Sequence, residues 1–231
     1  MGVGIHFTAL ALFLSAMGLT TSSCSQAQKP KSKKISIQLH KAAQENDPMA
    51  IHAALDAGAE LEAKDSEGRT ALMVAAYSNH LEAARVLIDA GANVNAQDRI
   101  LNSPFLYAGA SGFSEIVKMC LKAGADYHVY NRYGGTALIP ACEKGHLEVI
   151  KMLLADKNYP VNHINKLGWT ALLEAIILSD GGKKHQEVLR LLIAGGADVN
   201  IADGEGVSPL THARRRNYKE MVSILEKAGA R

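Results

Sequence analysis

Aromatic side chains are scarce in this 231-residue chain, at 5% with a single tryptophan. With few large rings and abundant Ala, Leu and Gly, the core has to be assembled from closely packed small helices. A preponderance of one charge is missing too. The formal net charge is +2, and no basic stripe of the kind that binds nucleic acid runs along the chain. The nearest candidates, KPKSKK at 29–34 and Arg214-Arg215-Arg216, are short runs of the sort that form a solvated face or a linker. The three cysteines make no C-x-x-C pair and have no histidine at metal-ligand spacing, so a metal site is not expected. Nor is there a nucleophile beside a base, or a carboxylate pair placed for acid–base work. The one glycine-rich stretch, DGG at 180–182, lacks the Lys-Ser/Thr of a phosphate loop. The chain therefore reads as no enzyme, with no cofactor.

Residues 1–23 contain no Lys, Arg, Asp or Glu. Their apolar stretch, from Ile5 to Leu19, is shorter than the roughly 20 residues that span a bilayer. It matches the apolar region of a secretory signal peptide. The following TSSC looks like a bacterial lipoprotein signal, which implies lipid attachment at Cys24. Thr21 stands where that signal usually has Leu, and ordinary cleavage after Ala27 is the alternative. Ser25 after the cysteine, by the same resemblance, favours the outer membrane. The expected location is the periplasm, free or anchored at Cys24. Residues 24–34 are read as a flexible polar tether, with too few apolar groups to fold alone.

Beyond the tether the chain repeats itself. Copies run over 35–64, 65–97, 98–130, 131–164, 165–202 and 203–231. Thr70, Ser103, Thr136, Thr170 and Ser208 each stand five positions after Asp65, Asp98, Asn131, Asn165 and Asp203. The Asp or Asn opens a turn, and Gly68, Gly134, Gly168 and Gly206 supply its positive φ. The hydroxyl residue is placed to cap a short helix, with Pro104 and Pro209 at the first helical position. A second helix follows, rich in apolar pairs such as Leu153-Leu154 and Leu191-Leu192. It ends on a glycine such as Gly91, Gly124 or Gly196. One unit cannot bury its apolar face alone, so stacking is obligatory.

These G-x-T-x-L turns, with GHLEVI at 145–150, resemble the ankyrin repeat family over residues 35–231. VNHINKLGWTALLEAI at 161–176 is similar to a stretch recurring in bacterial ankyrin-repeat proteins. The resemblance implies an all-α solenoid of about six repeats, caps included, with helix–turn–helix units joined by β-hairpin loops. It makes His40, His80 and His146 structural, with rings bonded to backbone between repeats. His128, His163, His185 and His212 are irregular histidines, read as satisfied or solvent-exposed. Cys120 and Cys142 fall where the repeat wants a small or apolar side chain, and are read as buried free thiols rather than as a disulfide.

Two irregularities break the beat. LLADKNYPVN at 153–162 loses the usual glycine and gains one residue, so Tyr159 and Pro160 must reshape that loop. In the fifth copy, Glu187 follows Thr170 by 17 positions, whereas Glu148 follows Thr136 by 12. The difference is an insertion around SDGGKK at 179–184, expected to lengthen the first helix through Ile177 and Leu178.

The family resemblance implies binding of another protein through hairpin tips and concave face. On this chain the positions concerned include Arg69, Tyr77, Arg99, Arg132, Tyr133, Lys166, Leu167 and Trp169. The expected function is an exported, non-catalytic and monomeric interaction module, touching a membrane only through Cys24. An immunity protein, a protective scaffold for a periplasmic enzyme or toxin, and a host-directed effector are the alternatives.

Overall fold

The computed structural model describes residues 23–231, with side chains from Lys33 onward. The expected signal peptide, all but its last residue, and the Cys24 side chain lie outside the described residues. Among them, twelve helices form six helix–turn–helix pairs, and no strand is present. The pairs are α1 Ser23–Gln44 with α2 Pro48–Asp56, α3 Ala71–Tyr77 with α4 Leu81–Asp89, and α5 Pro104–Ser111 with α6 Ser114–Lys122. After them come α7 Leu138–Lys144 with α8 Leu147–Leu154, α9 Ala171–Ile177 with α10 Lys183–Ala194, and α11 Pro209–Arg215 with α12 Lys219–Lys227. No helix among the described residues is long and apolar enough to cross a membrane. α1 starts at Ser23, so the backbone of 24–34 is helical where the sequence predicts a tether.

The connecting hairpins are turns, and one side chain closes each of them. Asp65 Oδ1 accepts from the N–H groups of Glu67 (2.8 Å) and Arg69 (2.9 Å). Asp98, Asn131, Asn165 and Asp203 repeat this with their own second and fourth neighbours. Such Asx turns satisfy backbone donors that no helix can reach. Adjacent turns are then tied together, by Arg99 N–H to Glu67 O at 3.1 Å and Lys166 N–H to Tyr133 O at 2.9 Å.

At the third turn position the chain needs a left-handed backbone, and Gly68, Gly134, Gly168 and Gly206 supply it at φ +77°, +70°, +79° and +77°. The third copy puts Leu101 there at φ +59°, with its side chain 43% exposed. A Cβ in this region is strained, and little packing compensates. Leu101→Gly is expected to stabilise the fold by about 1 kcal/mol, read as a higher urea midpoint with an unchanged slope.

Helices stack in two layers, each odd helix against the next odd one and each even helix against the next even one. Between the layers runs one continuous core. Leu72, Phe105, Leu138, Leu172 and Leu210 occupy the same register of successive inner helices, all at most 2% exposed. Leu87, Cys120, Leu153, Leu192 and Leu225 form the facing row from the outer helices, all at 0%. Cys120 thus replaces a leucine, and both it and Cys142 are buried free thiols. Burial pushes the Cys120 thiol up to about 12, so it stays neutral and unreactive.

Four of the five expected hydroxyl caps are made. Thr70, Ser103, Thr170 and Ser208 each accept the N–H three residues on, at 3.2 Å. The fourth copy differs. Its first helix starts later, at Leu138, and the Leu138 N–H donates instead to the Tyr159 hydroxyl at 3.2 Å. Thr136 bonds that same hydroxyl. The irregular loop therefore feeds a tyrosine, 5% exposed, into the core, where it accepts the first N–H of the helix.

The insertion lengthens the second helix, not the first. α9 ends at Ile177 with 7 residues, like α3 and α7, while α10 has 12 against 8 in α8. The first helix cannot grow, because Leu178 is its C-cap and Gly181 then turns at φ +72°. The new segment is fastened on both sides. Tyr218 OH donates to Ser179 O at 2.6 Å, and Lys184 Nζ donates to Lys144 O at 3.1 Å. His185, read as irregular, lies with Nε2 2.8 Å from Glu143 O. It bridges repeats as His80 does to Ala43 O (3.1 Å) and His40 to Arg69 O (2.9 Å).

Candidate partner-binding face

The turns and the exposed edges of the inner helices face the same side, and two hollows form there. The first, of about 290 Å³, is lined by Glu67, Arg69, Tyr77, Asp98, Arg99 and Ile100. Here Arg69 is committed to its own turn, its Nη2 2.7 Å from Asp65 Oδ2. Burial pushes the Asp65 carboxyl up, but the hydrogen bonds from the Arg69 side chain and from the N–H groups of Arg69 and Glu67, with the Arg69 charge, together hold it below the usual carboxylate range. Tyr77 OH donates to Asp98 Oδ2 and accepts from Asn102 Nδ2 at 3.0 Å. Its ring lies 4.3 Å from that of Tyr107. Burial, with the Asp98 carboxylate adding to it, pushes the Tyr77 hydroxyl up to about 12. Arg69 and Tyr77 are thus occupied internally; Arg99 and Ile100 stand exposed.

The second hollow is a groove of about 370 Å³ across α5, α7 and α9. Its apolar lining includes Tyr107, Ile139, Pro140, Tyr133, Leu167 and Leu178. The last three are 52%, 54% and 49% exposed. They stand proud because Tyr133 and Leu167 occupy the second position of their turns, where the Asx oxygen holds the backbone and leaves the side chain outward. The Arg132 guanidinium lies 4.8 Å over the Tyr133 ring, a cation–π contact at the rim. Lys166 Nζ is spent on Arg132 O at 3.2 Å. Trp169 is half-buried and does not line the groove; its N–H and carbonyl close the Asn165 turn at 3.1 and 3.0 Å.

Of the positions expected to bind, the structure brings Arg132, Tyr133 and Leu167 to this groove and gathers Arg69, Tyr77 and Arg99 around the other. Lys166 braces the groove's rim, and Trp169 belongs to neither hollow.

Sequence reading passed over Glu174. It lies on the groove floor, 7% exposed, and its Oε1 accepts from Asn165 Nδ2 at 2.9 Å. Burial raises its carboxyl to about 7, the Glu143 charge adds to the rise, and the Asn165 bond opposes it. The available signal was a lone acid inside the apolar run ALLEAII. The same register holds Val74, Tyr107, Pro140 and His212 in the other copies. His212 Nε2 meets Asp203 Oδ2 at 2.6 Å, so the last copy swaps donor and acceptor between helix and turn. Among the described residues no three His, Cys, Asp or Glu side chains converge as metal ligands would.

The tied Asx turns, capped short helices and two stacked layers coincide with a known architecture. A model of the family Ankyrin repeats (3 copies) matches residues 24–98 and 105–203. This chain belongs to the ankyrin repeat family. A solved ankyrin repeat domain from Acinetobacter baumannii AYE is 51% identical, covering 84% of this chain and 98% of that one, with a TM-score of 0.81. The ankyrin repeat protein EF0377 is 40% identical over 83% and 98% of the two chains, with a TM-score of 0.80. The ankyrin domain of Bcl-3, a member of the IkappaB family, is 25% identical over 84% and 86%, with a TM-score of 0.76. Ankyrin repeat protein YahD of Escherichia coli (strain K12) is 46% identical over 78 residues, which are 34% of this chain and 39% of YahD. Ankyrin repeats are protein-binding modules and generally scaffolds rather than enzymes.

Proposed function

We propose that this chain is an exported, non-catalytic binding module that takes a protein partner on the groove across α5, α7 and α9. One observation carries the reading: Tyr133, Leu167 and Leu178 stand about half exposed around a single concavity. Covering three large apolar groups at once is favourable, and a tyrosine and an arginine at the rim are residue types that dominate binding energy. Export rests on the uncharged N-terminal stretch and attachment on Cys24; palmitate labelling that Cys24→Ser abolishes supports the anchor, and labelling that persists removes it.

The binding surface is tested by photo-crosslinking the full chain in intact cells. Leu167→Asp is expected to reduce the crosslinked species at least tenfold while leaving thermal unfolding within about 2 °C, since an exposed turn residue contributes little to the fold. An undiminished crosslink in Leu167→Asp overturns the groove as the docking site.

A further inference from the structure

The groove has two acids in its lining, and the two cations that also line it, Arg132 and Lys144, pair with neither. Glu174 is 93% removed from solvent by its 7% exposure, and only its Oε1 has a protein partner, Asn165 Nδ2 at 2.9 Å. No second hydrogen bond reaches the carboxyl, and Glu174 lines the groove. Glu143 lies on the same wall, close enough that its charge acts on Glu174. Neither carboxylate is in an ion pair among the described residues. The cations nearby are committed elsewhere: Lys144 Nζ to Ala110 O at 3.0 Å, and Arg132 over the Tyr133 ring at 4.8 Å. The fold does not require a carboxylate here, because other copies close the same turn with Val74, Tyr107 or Pro140 in that register.

A nearly buried acid with a single hydrogen bond, lining a cavity, is costly unless a partner supplies the missing charge. The geometry points to a basic side chain of the partner protein, an arginine or lysine, entering this groove to pair with Glu174 and Glu143. Tyr133, Leu167 and Leu178 would cover its aliphatic stem, which is how long cationic side chains bury apolar length while keeping the charge satisfied. This assignment rests on the groove being the docking site and names the chemistry that docks there. The raised carboxyl agrees with it, since a cation bound at Glu174 draws it back toward the ionised form. Binding should then strengthen as pH rises from 6 to 8. The titratable groups on the elements packed against α9 are Cys142, Glu143 and Lys144 on α7, Lys183, Lys184, His185, Glu187 and Arg190 on α10, and His212, Arg214 and Arg215 on α11. His185 Nε2 meets Glu143 O and His212 Nε2 meets Asp203 Oδ2, while His185 Nδ1 is buried without a hydrogen-bond partner.

The test is selection of a phage-displayed random peptide library on the immobilised full chain, followed by titration of the winning synthetic peptides. Wild type is compared with Glu174→Gln, which preserves shape and the Asn165 bond, and with Leu167→Asp. The expected winners share an arginine or lysine beside an apolar residue. They bind Glu174→Gln at least tenfold more weakly, and lose in that variant the rise in affinity from pH 6 to 8. Winners without a basic residue, or equal affinity for Glu174→Gln, overturn the cationic anchor, and if Leu167→Asp still abolishes their binding the docking groove itself stands. Absence of wild-type binders, or binders indifferent to Leu167→Asp, overturns both.

Discussion

Tyr159→Ala is expected to cost the fold about 3–5 kcal/mol, the range for deleting a buried aromatic ring. The ring is 5% exposed and packs 4.7 Å from that of Tyr127, whose hydroxyl donates to Asp156 Oδ2 at 2.9 Å. Alanine leaves a ring-sized void between the fourth copy and its neighbours, and it strips the N–H of Leu138 of its acceptor. Because each repeat is held only by contact with the next, the loss falls at an internal junction and is felt by both halves of the stack. Tyr159→Phe separates the two contributions. It keeps the volume and removes the hydroxyl, so it should cost only about 1–2 kcal/mol, the penalty for a buried unpaired donor. Equilibrium urea unfolding of both variants measures this. An alanine cost below about 1 kcal/mol would mean that the loop, and not the tyrosine, holds that junction.

The second large effect is a pH dependence that one residue imposes. Glu174 has its carboxyl raised from 4.5 to about 7 by burial and by Glu143. Between those values the folded chain holds a proton that the unfolded chain has lost. Stability is therefore greatest at low pH in this respect, falls as pH rises from about 4.5 to about 7, and stays reduced above that. The shift corresponds to about 3 kcal/mol at 1.36 kcal/mol per unit, and water reaching the open groove screens it to about 2 kcal/mol. Glu174→Gln removes the titration and keeps the Asn165 bond. The variant should be about 2 kcal/mol more stable than wild type at pH 8 and indistinguishable from it at pH 4. A constant difference across that range would show that Glu174 ionises freely in the folded chain. A native residue that lowers stability at neutral pH would fit the pattern of a group kept for binding rather than for folding.

Some of this was legible in the sequence and some was not, for reasons that differ residue by residue. The five-residue offset from Asp or Asn to Ser or Thr encoded a local event, an Asx turn followed by a cap, and local hydrogen bonds depend only on near neighbours. Four of the caps are therefore where the spacing puts them. The fifth fails because Tyr159, 23 residues after Thr136, reaches through the core, bonds the Thr136 hydroxyl and accepts the Leu138 N–H at the start of the helix. The insertion at 179–184 was visible as extra length, yet which helix it lengthens depended on contacts across copies: Tyr218 of the next copy holds Ser179 O, and Lys184 of the insertion reaches Lys144 O of the copy before. His185 looked irregular because the insertion had shifted its register; in space it makes the inter-repeat bond of its relatives.

The site divides in the same way. Tyr133 and Leu167 could be picked out, since the repeat leaves their turn positions free and outward. Trp169 stood out by rarity, but rarity says nothing of direction, and its turn position leaves it half-buried outside the groove.

By itself the sequence determined the repeat, its turns, its stacked layers and the family, because these follow from short-range bonds and an apolar period recurring in every copy. Only the tertiary structure decided that Glu174 lies on a groove floor without an ion pair, that Arg69 and Tyr77 are consumed internally, and that Tyr159 holds the start of a helix. Each of those depends on which groups from different repeats meet, and burial, charge and hydrogen-bond satisfaction belong to that meeting rather than to the residue.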